Sequence, residues 1–84
     1  IRIRPGSPVI GRSLAEIDLR GRTGATIIAV VHDGKTLLSP GADYRLCEND
    51  TVVLIGTGGA CGKAAEVLDP LENFAMATLR GFNP

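Results

Sequence analysis

The chain has 84 residues, nine basic and nine acidic. That length suffices for one domain, and the zero net charge gives no general attraction to nucleic acid or to an anionic membrane. Hydrophobic residues make up 44%, too many for a disordered chain, and no apolar run approaches the roughly 18 residues that cross a bilayer. With no Trp, one Tyr and two Phe, the core is aliphatic. It is also thin, because so short a chain buries only about 60–65% of the surface its unfolded form exposes. A second copy would add cover.

Residues 1–4, Ile-Arg-Ile-Arg, alternate apolar and polar as a half-buried strand does. The chain opens there without an initiator Met, which reads as a fragment of a longer protein that takes its purpose from its neighbours. Pro5-Gly6-Ser7-Pro8 stops the strand. Ser13 with Glu16 three positions on is a capping box, and Leu14, Ile17 and Leu19 give the apolar face of a helix of about two turns, fading at Gly21 or Gly24. Residues 25–31 are β-branched almost throughout and apolar on both faces, which marks a central strand or one buried under a partner. Asp33-Gly34 is a hairpin turn, with residues 36–38 as the return strand. Leu46 is a lone apolar anchor, Glu48-Asn49-Asp50 a turn, and residues 51–55 the last strand. A helix over residues 60–68 puts Ala64, Ala65, Val67 and Leu68 inward, and Pro70 ends it. Residues 71–84 form a tail with a helical pattern over 72–80. The order predicts an α+β sandwich, β-α-β-β-β-α, with a mainly antiparallel sheet and helices against one side. The domain spans residues 1–70, and the tail adds a candidate C-terminal helix.

Little here reads as chemistry. In Gly56-Thr57-Gly58-Gly59-Ala60-Cys61-Gly62-Lys63 the spacing is one residue short of a Walker loop, Ala64 replaces its hydroxyl, and Cys61 stands where a dinucleotide fingerprint needs its third glycine. A strand-to-helix turn of small residues is the better reading. His32 beside Asp33 resembles a base oriented by a carboxylate, but no nucleophile adjoins it in sequence. A solvated hairpin histidine, or one at a pocket rim, fits better than a small enzyme. Cys47 and Cys61 have no zinc spacing and are read as reduced thiols, a disulfide being the alternative. The acids form no EF-hand series. No catalytic and no metal residue is therefore assigned. Arg2, Arg4, Arg12, Arg20 and Arg22 cluster early in the chain, and Arg20 with Arg22 at a glycine corner is the pair best placed to grip phosphate.

Gly11-Arg12-Ser13-Leu14, Glu16-Ile17-Asp18-Leu19-Arg20, the glycine-led Val/Ile strand to Val31, Pro40, Asn49-Asp50 and the second apolar strand ending at Gly56 follow one another along the chain. In that order they resemble the TrkA-C (RCK-C) domain. The likeness runs from about Ile3 to Leu68, and each piece is weak alone. It implies a cytosolic, non-catalytic regulatory domain of a potassium channel, potassium uptake system or cation/proton antiporter. Such a domain works as a homodimer beside a membrane-embedded channel or transporter in the same or a partner chain, without nucleic acid. In some branches cyclic di-AMP lies across the two-fold axis. Carried over by position, its pocket would involve Leu19, Arg20, Gly21, Thr26, Ile27 and Pro40. The alternative is a structural dimerisation module with no small-molecule ligand.

Overall fold

The capping box forms as the sequence predicts. Ser13 lies in extended backbone and its hydroxyl accepts the Glu16 N–H at 3.2 Å, while the Glu16 carboxylate accepts the Ser13 N–H at 3.4 Å. In this computed structural model, which describes residues 1–70, the cap opens α1 (Leu14–Ile17), followed by α2 (Leu19–Thr23), β1 (Thr26–His32), β2 (Lys35–Leu38), β3 (Thr51–Ile55) and α3 (Gly58–Leu68). The helical pattern over 72–80 lies outside the described residues.

The single helix expected after Ser13 is broken in two. Asp18 adopts the left-handed conformation, φ 46° and ψ 52°, and its backbone both ends α1 and begins α2. Asp is among the few residues that tolerate this region. The Asp18 carboxylate folds back over Gly21, where a methyl group would overlap it. Gly24, at φ 84°, closes α2 and donates its N–H to the Arg20 carbonyl at 2.8 Å.

The sheet is antiparallel throughout, in the order β2-β1-β3, so the apolar run of 26–31 is its central strand. Asp33 and Gly34 both have positive φ, 49° and 74°, and link His32 directly to its partner Lys35. That is the two-residue turn whose twist matches the strands. Between Ile27 and Ala29 the pairing with β3 slips by one residue at Ile28. Such a bulge sharpens local twist.

The first strand expected over residues 1–4 is reduced to a lone antiparallel bridge, Arg2 with Thr51. The segment does run along β3, with the Val52 N–H on the Ile1 carbonyl at 2.6 Å and the Ile3 N–H on the Asp50 carbonyl at 2.7 Å. Pro5 lacks an N–H and Gly6 turns at φ 90°, so the ladder cannot lengthen. Ser7 then donates its buried hydroxyl to the Leu68 carbonyl at 2.8 Å, and Arg4 pairs with Asp69 at 3.1 Å. Both contacts fasten the opening segment to the end of α3.

The three helices of the described residues pack on one face of the sheet. Val30 and Val52, paired across β1 and β3, meet Ile17, Leu19, Ala64 and Leu68 there, with Ile3, Val9 and Leu46 filling from the connections. Among the described residues nothing packs over the other face. Leu38, Ala29 and Val53 form one row across the three strands, and Ile55 lies two residues on from Val53. Leu38 is 75% exposed and Ile55 60%.

Replacing Ser13 by Ala removes the hydroxyl that accepts the Glu16 N–H, while the Glu16 carboxylate keeps the N–H of residue 13 and Arg45 as donors. A loss of about 1 kcal/mol is expected, read as a lower urea midpoint with an unchanged slope.

Candidate functional site

Two places gather chemistry. The first is the corner where α2 enters β1. Arg20 and Gly21 are exposed on α2, and Thr26 and Ile27 are half-buried at the start of β1. β2 continues past Leu38 to Ser39, whose N–H bonds the Ile28 carbonyl at 2.9 Å, so Pro40 follows beside the same stretch of β1. Of the six pocket positions carried over from the family, Arg20 and Gly21 lie on the helix that leads into Thr26 and Ile27, and Pro40 follows the residue that bonds Ile28. The sixth, Leu19, has its side chain in the core at 4% exposure, and only its backbone is available there. Arg20 forms no ion pair with another described residue, whereas Arg22 donates to the Ile17 carbonyl at 3.2 Å and caps the end of α1. The two arginines are thus unequal, and Arg20 is the one free to reach an anion. A separate groove of about 390 Å³ lies between the opening segment, α1 and α3, with Val9, Arg12, Glu16 and Glu66 on its walls. None of the six positions lines it.

The second place is the turn that the sequence showed only as Glu48-Asn49-Asp50. Asp50 is 1% exposed, and its carboxylate collects three donors. The Tyr44 hydroxyl donates to Oδ2 at 2.7 Å and the Cys47 N–H donates to the same oxygen at 2.9 Å. His32 Nδ1 lies 2.6 Å from Oδ1. Burial pushes the Asp50 pKa up, but the bonds from Tyr44, Cys47 and His32 outweigh it and hold it below the usual carboxylate value. The hydrogen bond to Asp50 in turn raises His32 above an ordinary imidazole, against some desolvation and with Asp33 adding a smaller pull. Tyr44 is pushed up by burial first and by the neighbouring carboxylate second. His32 Nε2 is 3.5 Å from the Asp33 carboxylate, so the sequence neighbour is present but is the weaker contact. The stronger partner stands 18 residues away and no local pattern announces it. A buried acid flanked by Tyr44 and Cys47 was the available signal, masked by the turn-forming Asn49, which adopts φ 69°.

The TrkA-C domain profile matches residues 1–69. The chain belongs to the TrkA-C domain family. This TrkA-C domain is 45% identical over 56 residues to the K+/H+ antiporter subunit KhtT of Bacillus subtilis (strain 168), an overlap that takes in 66% of this chain and 34% of KhtT. The chain thus spans about a third of that relative's length. The RCK_C domain dimer of S. agalactiae BusR, solved in complex with c-di-AMP, is similar at a TM-score of 0.76 and 28% identity, covering 82% of this chain and 85% of that one. BusR was also solved with its busAB-promotor DNA as a longer chain, of which this domain covers 34%. The RCK C domain of the potassium transport protein KtrA, in complex with cyclic diadenosine monophosphate, shares the fold at a TM-score of 0.67 and 22% identity over 75% of this chain and 74% of that one. The TrkA-C domain is thus a regulatory RCK_C fold related to regulators of potassium transport. Among the described residues no helix is long and apolar enough to cross a membrane.

The Asp50 cluster makes stability depend on pH at both ends. The raised His32 contributes stability that is complete below the ordinary imidazole value of about 6.5 and is lost as pH rises through the raised one. The depressed Asp50 contributes stability present above the ordinary carboxylate range and lost as pH falls through its lowered value. In chelator-treated protein the melting temperature should therefore decline on both sides of a weakly acidic optimum. His32→Gln should flatten the alkaline limb and leave an acid limb. An alkaline limb unchanged in that variant would show that the coupling lies elsewhere.

Proposed function

We propose that this domain is a homodimeric, ligand-sensing regulatory module of a potassium channel, uptake system or cation/proton antiporter, working at the cytosolic face of the membrane without catalytic activity of its own. The observation that carries the reading is the bare sheet face. A three-stranded sheet with helices on one side leaves Ile28, Leu38, Val53 and Ile55 in water. An apolar face of this kind marks an interaction surface. A second copy is the occupant favoured here, because a two-fold pair lets one patch cover itself and because the BusR relative is a dimer.

The ligand reading rests on the α2–β1 corner. Arg20 is exposed and has no described acidic partner. On a two-fold axis it would appear twice, offering paired guanidinium groups to a ligand with two phosphates. Cyclic di-AMP has that chemistry, and BusR and KtrA are relatives solved with it. Arg20, Gly21, Thr26, Ile27, Pro40 and the backbone of Leu19 are the proposed contacts. Binding regulates a transporter only if it favours one of two dimer arrangements over the other. The second reading, a dimerisation module without a ligand, draws on Leu19, which offers its core-facing side chain to no ligand.

Two measurements test this. Leu38→Asp places a charge on the exposed apolar face, at its β2 edge, and should convert a dimer, seen by light scattering after gel filtration, into a folded monomer. A wild-type chain that is monomeric at every concentration overturns the dimer. Calorimetric titration with cyclic di-AMP should then give one nucleotide per two chains, with Arg20→Ala weakening it about tenfold or more, the loss expected for a charge-assisted hydrogen bond. A dimeric sample that takes up no nucleotide supports the structural module instead.

A further inference from the structure

His32, Cys47 and Asp50 bring three potential metal ligands close together. Their donor atoms, an imidazole nitrogen, a thiol sulfur and a carboxylate oxygen, all lie within 4.8 Å of one another. They come from the end of β1 and from the turn before β3, which the β1–β3 pairing brings together. We propose that this cluster is a zinc site, bound through His32 Nδ1, Cys47 Sγ and Asp50 Oδ1, with solvent in the fourth position. It is separate from the corner where a nucleotide is proposed and does not depend on that reading.

The surroundings are arranged as those of a metal site are. Asp50 Oδ2 is held by the Tyr44 hydroxyl and the Cys47 N–H, which fixes the carboxylate and leaves Oδ1 facing His32. The ring's other nitrogen, Nε2, faces the Asp33 carboxylate at 3.5 Å. A carboxylate behind a ligating histidine orients the ring and makes it a better donor. Among the described residues Cys47 Sγ makes one long contact, 3.6 Å to the Arg45 carbonyl, which leaves the thiol room to turn. Zinc bonds of 2.0–2.3 Å in a tetrahedron put neighbouring donors roughly 3.4–3.6 Å apart. His32 Nδ1 and Asp50 Oδ1, now 2.6 Å apart, would part by somewhat under about 1 Å as the metal replaces the proton between them. His32 and Cys47 are half-exposed, which gives the ion a way in, while Asp50 is buried.

The donor set also selects the ion. One nitrogen, one sulfur and one oxygen suit a borderline cation such as zinc, whereas magnesium and calcium require oxygen ligands throughout. A thiolate and a carboxylate balance the two positive charges, so the bound site is neutral beside the core. Bridging β1 to the turn before β3, the ion would tighten the end of the sheet farthest along β1 from the α2 corner.

Cobalt(II) reports directly on such a site. The metal-free 84-residue chain is titrated with cobalt and then with zinc. The expected result is a near-ultraviolet thiolate-to-cobalt charge-transfer band with tetrahedral visible bands, both abolished by zinc. Cys47→Ser should lose the charge-transfer band, and His32→Gln should weaken zinc at least about tenfold. Cys61→Ser should behave as the parent. Both test positions are half-exposed, so the variants should fold, which circular dichroism checks. No charge-transfer band in the parent, or one that persists in Cys47→Ser or disappears in Cys61→Ser, overturns the site. Nucleotide uptake at the α2 corner is scored separately and is untouched by either outcome.

Discussion

A three-stranded sheet has two faces, and the described residues place helices on only one. β1 is bonded on both edges, so its inner side chains, Ile27 and Val30, look toward the core cluster and its outer ones look away from it. Burying about 100 Å² of apolar surface is worth roughly 2.5 kcal/mol before entropic costs. A face presenting Leu38, Val53 and Ile55 is therefore a standing driving force for association. The bulge at Ile28 interrupts the pairing with β3 near the start of β1, shortly after the corner where α2 ends.

That corner is built from backbone choices rather than reactive groups. Asp18 in the left-handed region ends α1 and opens α2 within a single residue, and Gly24, also left-handed, ends α2 six residues later. Two such breaks so close together leave an α2 of five residues that presents Arg20 outward while Leu19 stays in the core. The Asp18 carboxylate rests over Gly21, so a side chain there would have to displace it. A regulatory domain works by such placement, since it needs a rigid edge on which a ligand or a second copy can register.

At the other end of β1, Asp50 sets a different constraint. A carboxylate at 1% exposure is costly unless its oxygens are satisfied, and here Tyr44, the Cys47 amide and His32 all serve it. The arrangement fixes the turn between residues 44 and 50, which in turn supports the bridge from the opening segment, because the Asp50 carbonyl accepts the Ile3 N–H. One buried acid thus joins the hairpin end, the turn and the first residues of the chain. Its partners are a histidine and the backbone of a cysteine, so the same network carries the geometry of the zinc site.

Much of this was legible from sequence because the signals are local. The capping box joins residues three apart, Asp-Gly makes a two-residue turn, and the β-branched run declares its strand without help. The family likeness rests on the order of such local pieces. What the sequence alone missed is long-range. Residues 1–4 alternate as a strand does, yet whether they pair for one residue or four depends on Pro5 and on where Asp50 and Val52 stand. The helix after Ser13 reads as continuous, and only the packing of Ile17 and Leu19 on the same core makes the Asp18 reversal worthwhile. His32 reads with its neighbour Asp33, while its closer partner comes from 18 residues along because β3 pairs beside β1. Sequence by itself determined which segments would be helix, strand and turn, since those preferences act over a few residues. Tertiary structure decided which side chains meet, because only the closed sheet brings distant donors to one buried carboxylate and leaves one apolar face uncovered.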